Sequence, residues 1–302
     1  MHSFNQATAE LLTTICFVMR RIYVFIAVLA VAASMTAASD PVASLNQSLA
    51  GQIVTIRDFP TDVLLRYDPD GRLLQGVPNG PWTVFGEFQF GNASLKNRTL
   101  RITGQRLAVL FPNHDLTRKY YRLGQTTIEI EFPQPPDAAA VNHAINHIFV
   151  GGGTTLAQVV QACWRPLLNG EITPKPPVKR EKHPKQPPNA ASAFVEGPQP
   201  GEQIKPGVYR VGKDVKPPKA TSTPEPVYEP IARAARIEGI TVLQAVVDEH
   251  GQLEDVAVVT PLGFGLDERA CEALARWKFA PATKSGVPVK VAINVEVNFH
   301  LY

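Results

Sequence analysis

Cysteine is scarce in this sequence, three residues among 302, and that scarcity removes whole classes of architecture. Thiolate metal clusters need several ligands at fixed spacing, and disulfide-built scaffolds need many pairs. Only Cys163 and Cys271 follow residue 38. They lie in different segments and read as two separate thiols, with one bond in an oxidising compartment as the alternative. Charge of one sign is also lacking. Lys and Arg number 30 against 27 Asp and Glu, so the net charge is +3, too small to indicate a nucleic-acid surface. Catalytic constellations are missing as well: no Ser, His and Asp arrangement stands out, and no enzyme activity, cofactor or metal is expected.

Long apolar runs are limited to one, residues 22–38, preceded by Arg20 and Arg21. Charge, then an apolar run, then small residues is the pattern of a secretory signal. Met19 offers a neater start than Met1, and cleavage would fall near Ala37 or Ala38. At about 17 residues the run also reaches the short limit for a membrane span. Residues 1–38 are therefore read as a signal peptide or a membrane anchor, the rest being exported. Membrane contact would then be made only through this segment, if it is not cleaved. No Cys follows the run, which argues against a lipid anchor.

What is plentiful is proline, 27 residues, close to half of them in residues 169–225. That stretch opens Thr173-Pro174-Lys175-Pro176-Pro177-Val178-Lys179-Arg180 and reads as a linker of extended polyproline geometry. At about 3.1 Å per residue it is long enough to hold two domains well apart. One interruption, Gly207-Val208-Tyr209-Arg210-Val211-Gly212, reads as a short strand docking on a domain.

Residues 45–168 read as a first module. Residues 52–59, 63–67, 72–75, 82–90, 100–111 and 126–132 carry β-branched, aromatic or alternating residues. Turn signals at Asp68-Pro69-Asp70-Gly71 and Pro78-Asn79-Gly80-Pro81 separate some of them. Many short strands imply a β-sandwich or small barrel, followed by helices over 137–150 and 154–167. His143 and His147 share a helix face at a metal-ligand spacing, with His114 as a distant third, but the plainer reading is two surface histidines. Asp68, Asp70 and Gly71 resemble the start of a calcium loop, which Arg72-Leu73-Leu74 then breaks. Gly151-Gly152-Gly153 lacks the Lys-Ser/Thr pair of a phosphate loop. Trp82, Phe85, Phe88 and Phe90 would stack on a ligand or, more commonly, fill a core. The sequons at Asn92 and Asn97 carry no inference.

Residues 226–302 are the most legible. Residues 240–247 are apolar on both faces, which places that strand centrally. Asp248-Glu249-His250-Gly251 is a turn, and 253–259 a second strand. In the third strand, Val289, Val291, Ile293, Val295, Val297 and Phe299 fall on one face. Lys290, Ala292, Asn294, Glu296 and Asn298 fall on the other. That period of two means one packed and one wet face. Helices are read over 228–237, stopping before Gly239, and over 266–277, with Asp267 and Glu268 in the first turn suiting the helix dipole. The simplest assembly is α+β: a three-stranded antiparallel sheet with two helices on one face. The last strand is then an edge, and an edge offers unpaired N–H and C=O groups to another chain. About five main-chain bonds at roughly 1 kcal/mol net each give weak, reversible binding before ordering costs.

This stretch resembles the TonB C-terminal domain family. The residues that carry the likeness are Pro226 and Tyr228, Arg236-Ile237-Glu238-Gly239, Asp248 with Gly251, Gly265-Leu266-Asp267, and Trp277-Lys278-Phe279-Ala280-Pro281-Ala282. Residues 291–299 match the closing strand. One departure is Tyr228-Glu229-Pro230, where the family has Tyr-Pro. The resemblance implies a periplasmic module whose closing strand, here Val289, Lys290, Val291, Ala292, Ile293, Asn294, Val295, Glu296 and Val297, pairs with a short peptide of an outer-membrane receptor or another envelope protein. Family anchors carry a functional His with a Ser one helical turn before it; residues 15–38 contain no His, which weakens any link to a membrane motor. The alternative is a soluble periplasmic scaffold or a self-associating protein without energy transfer. The apolar outer face of residues 240–247 (Ile240, Val242 and Val246) hints at such a contact.

Overall fold

The computed structural model describes residues 40–175 and 201–301. The candidate leader and part of the proline-rich stretch lie outside those residues. The first module is built on a single six-stranded sheet rather than a sandwich or barrel. Its strands are β1 (Ile53–Thr55), β2 (Leu64–Tyr67), β3 (Leu73–Gln75), β4 (Glu87–Lys96), β5 (Thr99–Leu110) and β6 (Lys119–Glu131), in the order β1-β4-β5-β6-β2-β3. β4, β5 and β6 form an antiparallel meander, and β2 returns parallel to β6. Asn97, with φ 56°, makes the tight turn between β4 and β5, a left-handed conformation that Asn tolerates.

A second sheet is unnecessary because two helices cover the apolar face. Helix α1 (Pro41–Leu49) and helix α3 (Ala138–Ile148) place Val42, Leu45, Leu49, Val141, Ala144, Ile145 and Ile148 against Phe88, Phe90, Leu100, Ile102, Ile128 and Ile130. Helix α1 went unread in the sequence, although Asp40 caps it through Val42 N–H at 3.0 Å and Pro41 opens it. The stretch expected as one strand over 82–90 starts instead with a helical turn, α2 (Trp82–Phe85), and Gly86 separates it from β4. The helix expected over 154–167 is broken into α4 (Leu156–Val159), a 3-10 turn (Ala162–Trp164) and α5 (Arg165–Leu168). Val160 takes an extended conformation, and Pro166 sits where only a helix start tolerates it.

The C-terminal part centres on β11 (Gly239–Val247), β12 (Leu253–Thr260) and β15 (Val287–Phe299), paired antiparallel in the order β12-β11-β15. Helices α6 (Pro230–Ala234) and α7 (Leu266–Leu274) are shorter than expected. The sheet is also wider than three strands. β14 (Ala282–Lys284), β9 (Val215–Lys216), β8 (Val208–Arg210) and β7 (Gln203–Lys205) bring it to seven. β10 (Lys219–Ser222) pairs separately with β13 (Lys278–Ala280).

Residues 201–222 are therefore not a free polyproline tether. Their Val, Tyr and Ile residues lay strands along the C-terminal sheet, and the Val208–Arg210 segment docks as its composition suggests.

The two parts share one core. Trp82, Phe111 and Trp164 pack ring on ring at 5.3 to 6.3 Å, in one cluster with Leu243, Phe264, Leu266, Leu274 and Val295. β5 shows this directly: its burial alternates as far as Gln105, then runs unbroken from Arg106 to Val109 where both faces are covered. Phe111 N–H donates to Leu262 O, and Phe264 N–H to Val109 O. Gly263 sits against this seam with φ 98°; a Cβ there would meet Val109 O at 2.2 Å. Cys163 and Cys271 form a disulfide across the same seam, correcting the reading of two separate thiols. Lying in different segments, the two cysteines gave no sign that the 3-10 turn would reach α7.

Candidate functional site

β15 is bonded to β11 from Val291 to Phe299. Its packed face is the expected one, with Val291, Ile293, Val295, Val297 and Phe299 all in the shared core. On the opposite face, Lys290 Nζ lies 2.8 Å from Glu254, which holds its ammonium above the usual lysine range. Gln244 Nε2 donates to Asn294 Oδ1 at 3.5 Å. Ala292 is buried against Val246 and Val208, with Ile204 packed beside them.

The second edge of β15 is not bare along its length, which corrects the expectation of an open border. Val287, Pro288 and Val289 pair with β14. Lys290, Val291 and Ala292 pair in parallel with Val208, Tyr209 and Arg210 of β8. The described strands on that edge stop at Ala292. The apolar outer face of β11 is likewise partly accounted for, because Val246 lies under the β7–β8 hairpin.

That hairpin is a compact local unit. Pro206-Gly207 makes its turn, Gly207 having φ 78°, as a type II turn requires at its third residue. Gly201 N–H donates to Arg210 O and Arg210 N–H to Glu202 O. Val208 and Arg210 turn inward. Tyr209 lies under Lys284, whose Nζ is 4.4 Å from the ring centroid.

Turn chemistry fixes the frame around this edge. Asp248 Oδ1 accepts from His250 N–H at 2.9 Å and Gln252 N–H at 2.7 Å. Gly251 has φ +79°, and a Cβ there would meet Phe279 O at 1.8 Å. Asp267 folds back to accept from Leu262 N–H and Gly263 N–H. Arg269 clamps Glu229 at 2.9 Å, and the Tyr228 hydroxyl donates to Ile237 O. The Trp277 indole donates to Pro224 O at 3.0 Å.

Tyr228, Asp248, Gly251, Asp267 and Trp277 are among the residues whose order carries the resemblance, and the comparisons agree. Residues 224–301 match the family model described as Gram-negative bacterial TonB protein C-terminal. This stretch is a TonB C-terminal domain. Protein TonB of Vibrio cholerae is 33% identical over 87 residues, 28% of this chain and 36% of that protein. The chain thus matches about a third of the curated relative's length. The solution structure of the Pseudomonas aeruginosa TonB C-terminal domain is 22% identical, covering 30% of this chain and 92% of that one, with a TM-score of 0.23. At that score it says nothing about the arrangement here.

Other candidate sites dissolve into structure around the TonB domain. His143 Nε2 is 3.2 Å from Asp70 Oδ1, and the His143 and His147 rings lie tilted to each other at 4.2 Å on an exposed helix face. Among the described residues no cluster of three or more His, Cys, Asp or Glu could hold a metal. Asp68 Oδ1 accepts from Asp70 and Arg72 N–H, closing a turn. Gly151 O accepts from Thr154 N–H. Trp82, Phe88 and Phe90 are buried in cores, and Phe85 packs against one.

Sequence reasoning missed the buried carboxylates. Glu268, 1% exposed, accepts from Thr83 N–H and Thr83 Oγ1, while Gly265 N–H donates to Thr83 Oγ1 at 2.7 Å. Burial first, then the Asp267 charge, pushes the Glu268 carboxyl up to about 8. Burial pushes Asp267 up to about 6 against its hydrogen bonds. First-turn acids look the same in sequence whether exposed or pinned under another module.

Proposed function

We propose that this chain is an exported cell-envelope protein whose TonB domain takes up an extended segment of a partner by strand addition to β15. The acceptor residues are Lys290, Val291, Ala292, Ile293, Asn294, Val295, Glu296 and Val297; Val289 is held by β14. An outer-membrane receptor peptide is the partner the family resemblance suggests, in energy-coupled transport across that membrane. One observation carries the reading: β15 already accepts a strand from outside residues 224–301, in parallel, at Lys290, Val291 and Ala292. The Cys163–Cys271 bond supports an oxidising compartment. The test is titration of the isotope-labelled chain with an extended peptide from the amino-terminal region of an outer-membrane receptor. Amide shifts should move along residues 290–297 and across β11. Shifts confined to another surface, or none at millimolar peptide, would refute the assignment.

A second reading, a soluble scaffold without energy transfer, is favoured by the docking of the two parts. Lys175 N–H donates to Val259 O, and the hairpin that begins at Gly201 pairs through Val208, Tyr209 and Arg210 with β15. Both ends of the proline-rich stretch thus lie on the TonB domain, so it does not hold that domain away from residues 40–175. The amino-terminal residue of the mature protein separates the readings, since cleavage near Ala38 removes any membrane link.

A further inference from the structure

We propose that the hairpin Gly201–Gly212 is an autoinhibitory strap, occupying the β15 edge until a partner strand displaces it. This rests on the strand-addition reading above and adds that the protein's own segment competes for the same backbone groups. β8 aligns Val208, Tyr209 and Arg210 with Lys290, Val291 and Ala292, where an incoming strand would have to pair. It also covers Val246 and Ala292 with Val208, so the closed strap hides both the edge and the apolar patch beside it.

The strap is built to let go. Its ladder to β15 is three residues long. Its ion pair to the sheet, Lys205 to Asp255 at 3.8 Å, joins two largely exposed side chains, a kind that contributes little. Two buried guanidinium donors, Arg210 Nε and Nη1, have no hydrogen-bond partner, so this end of β8 holds an unmet polar demand. Downstream, β9 stays paired with β14 through Val215 and Lys216, and Gly212, with φ 124°, sits between the two strands as a pivot. A segment tethered this closely competes at an effective concentration on the order of millimolar. Affinity for any outside strand is lowered by the fraction of molecules with the strap closed.

The probe is the strap itself, supplied in trans: a fluorescent peptide of residues 202–212, titrated against the full chain and followed by anisotropy. Two full-length variants open the strap. Tyr209→Pro removes an N–H and fixes φ in the middle of β8; Val208→Asp sets a carboxylate against Val246 and Ala292. Unchanged near-ultraviolet circular dichroism of either variant establishes that it is folded. The expected result is at least tenfold tighter binding by a folded variant than by the wild type. Equal affinity for variant and wild type overturns the strap while leaving the edge a strand acceptor. No binding to any of the three chains overturns both the strap and the strand-addition reading.

Discussion

Replacing Glu268 by Gln should remove a large part of the chain's loss of stability above pH 5. The carboxyl is buried where α7 meets Thr83 of the first module, and its pKa rises from 4.5 to about 8. A raised carboxyl pKa means the folded chain holds the proton more tightly than the unfolded one. The stability this provides is complete below about pH 4.5 and is lost as the pH climbs towards 8. Between pH 5 and 7 nearly one proton per molecule separates the two states. At about 1.4 kcal/mol per pH unit, the loss over that window is on the order of 2 kcal/mol. Asp267, raised to about 6, acts in the same direction at lower pH and remains in the variant. The assay is urea unfolding at pH 5, 6, 7 and 8, read by fluorescence of Trp82 and Trp164 in the shared core. With a slope of about 2–3 kcal/mol per molar urea, the wild-type midpoint should fall by about 1 M more than the variant's from pH 5 to 7. Parallel pH profiles would refute the reasoning, because every other titrating group is common to both chains.

The disulfide spans 108 residues, and a loop of that size corresponds to a stabilisation of up to about 4.7 kcal/mol. Changing both Cys163 and Cys271 to Ala should therefore lower the melting temperature markedly, and an unchanged melt would count against the bond. Gly263→Ala must fit a Cβ 2.2 Å from Val109 O at φ 98°. It should cost about 3 kcal/mol or more and expose the seam between the modules to limited proteolysis; a wild-type digestion pattern would show that the seam gives way more easily than its geometry implies.

What could be read in the chain was whatever local pattern decides. The alternation from Val289 to Phe299 is legible because one face of β15 packs and the other does not. The double-sided apolar run of β11 places it centrally, and it is bonded on both sides. The same logic failed where a distant segment decides. Trp82 and Phe85 look like strand residues, yet Pro81 and Gly86 bracket a helical turn that drives Trp82 into the seam. The alternation of β4, β5 and β6 was visible, but not that α1 and α3 would cover it, so a second sheet was expected. Glu268 has the signature of a dipole-matching surface acid, and only Thr83, 185 positions away, makes it an interior one. At the candidate site the alternation of β15 was legible, and so was the docking tendency of Val208-Tyr209-Arg210. Where that segment docks was not, because parallel pairing with Lys290, Val291 and Ala292 leaves no periodicity in either partner.

The covers on the two sides of the C-terminal sheet differ in strength, and on the strand-addition reading proposed above the difference selects the route for a partner. Beyond β12, Lys175 bonds Val259 and Thr260, the 3-10 turn and α5 pack alongside, and a disulfide fastens that turn to α7. Opening that side means parting a shared core that contains Trp82 and Trp164. Beyond β15, the inner end is closed by β14, which continues directly into the strand through a turn at Ser285 and Gly286. That leaves β8, held by three paired residues and a small apolar cluster. Covering an edge also protects a sheet from indiscriminate pairing, so a strap costs the protein nothing in solubility while it waits. A partner strand that matches β8 in direction and exceeds it in length meets the least resistance there. Selectivity for such a partner would then come from what it adds beyond Ala292, where the strap's own pairing ends.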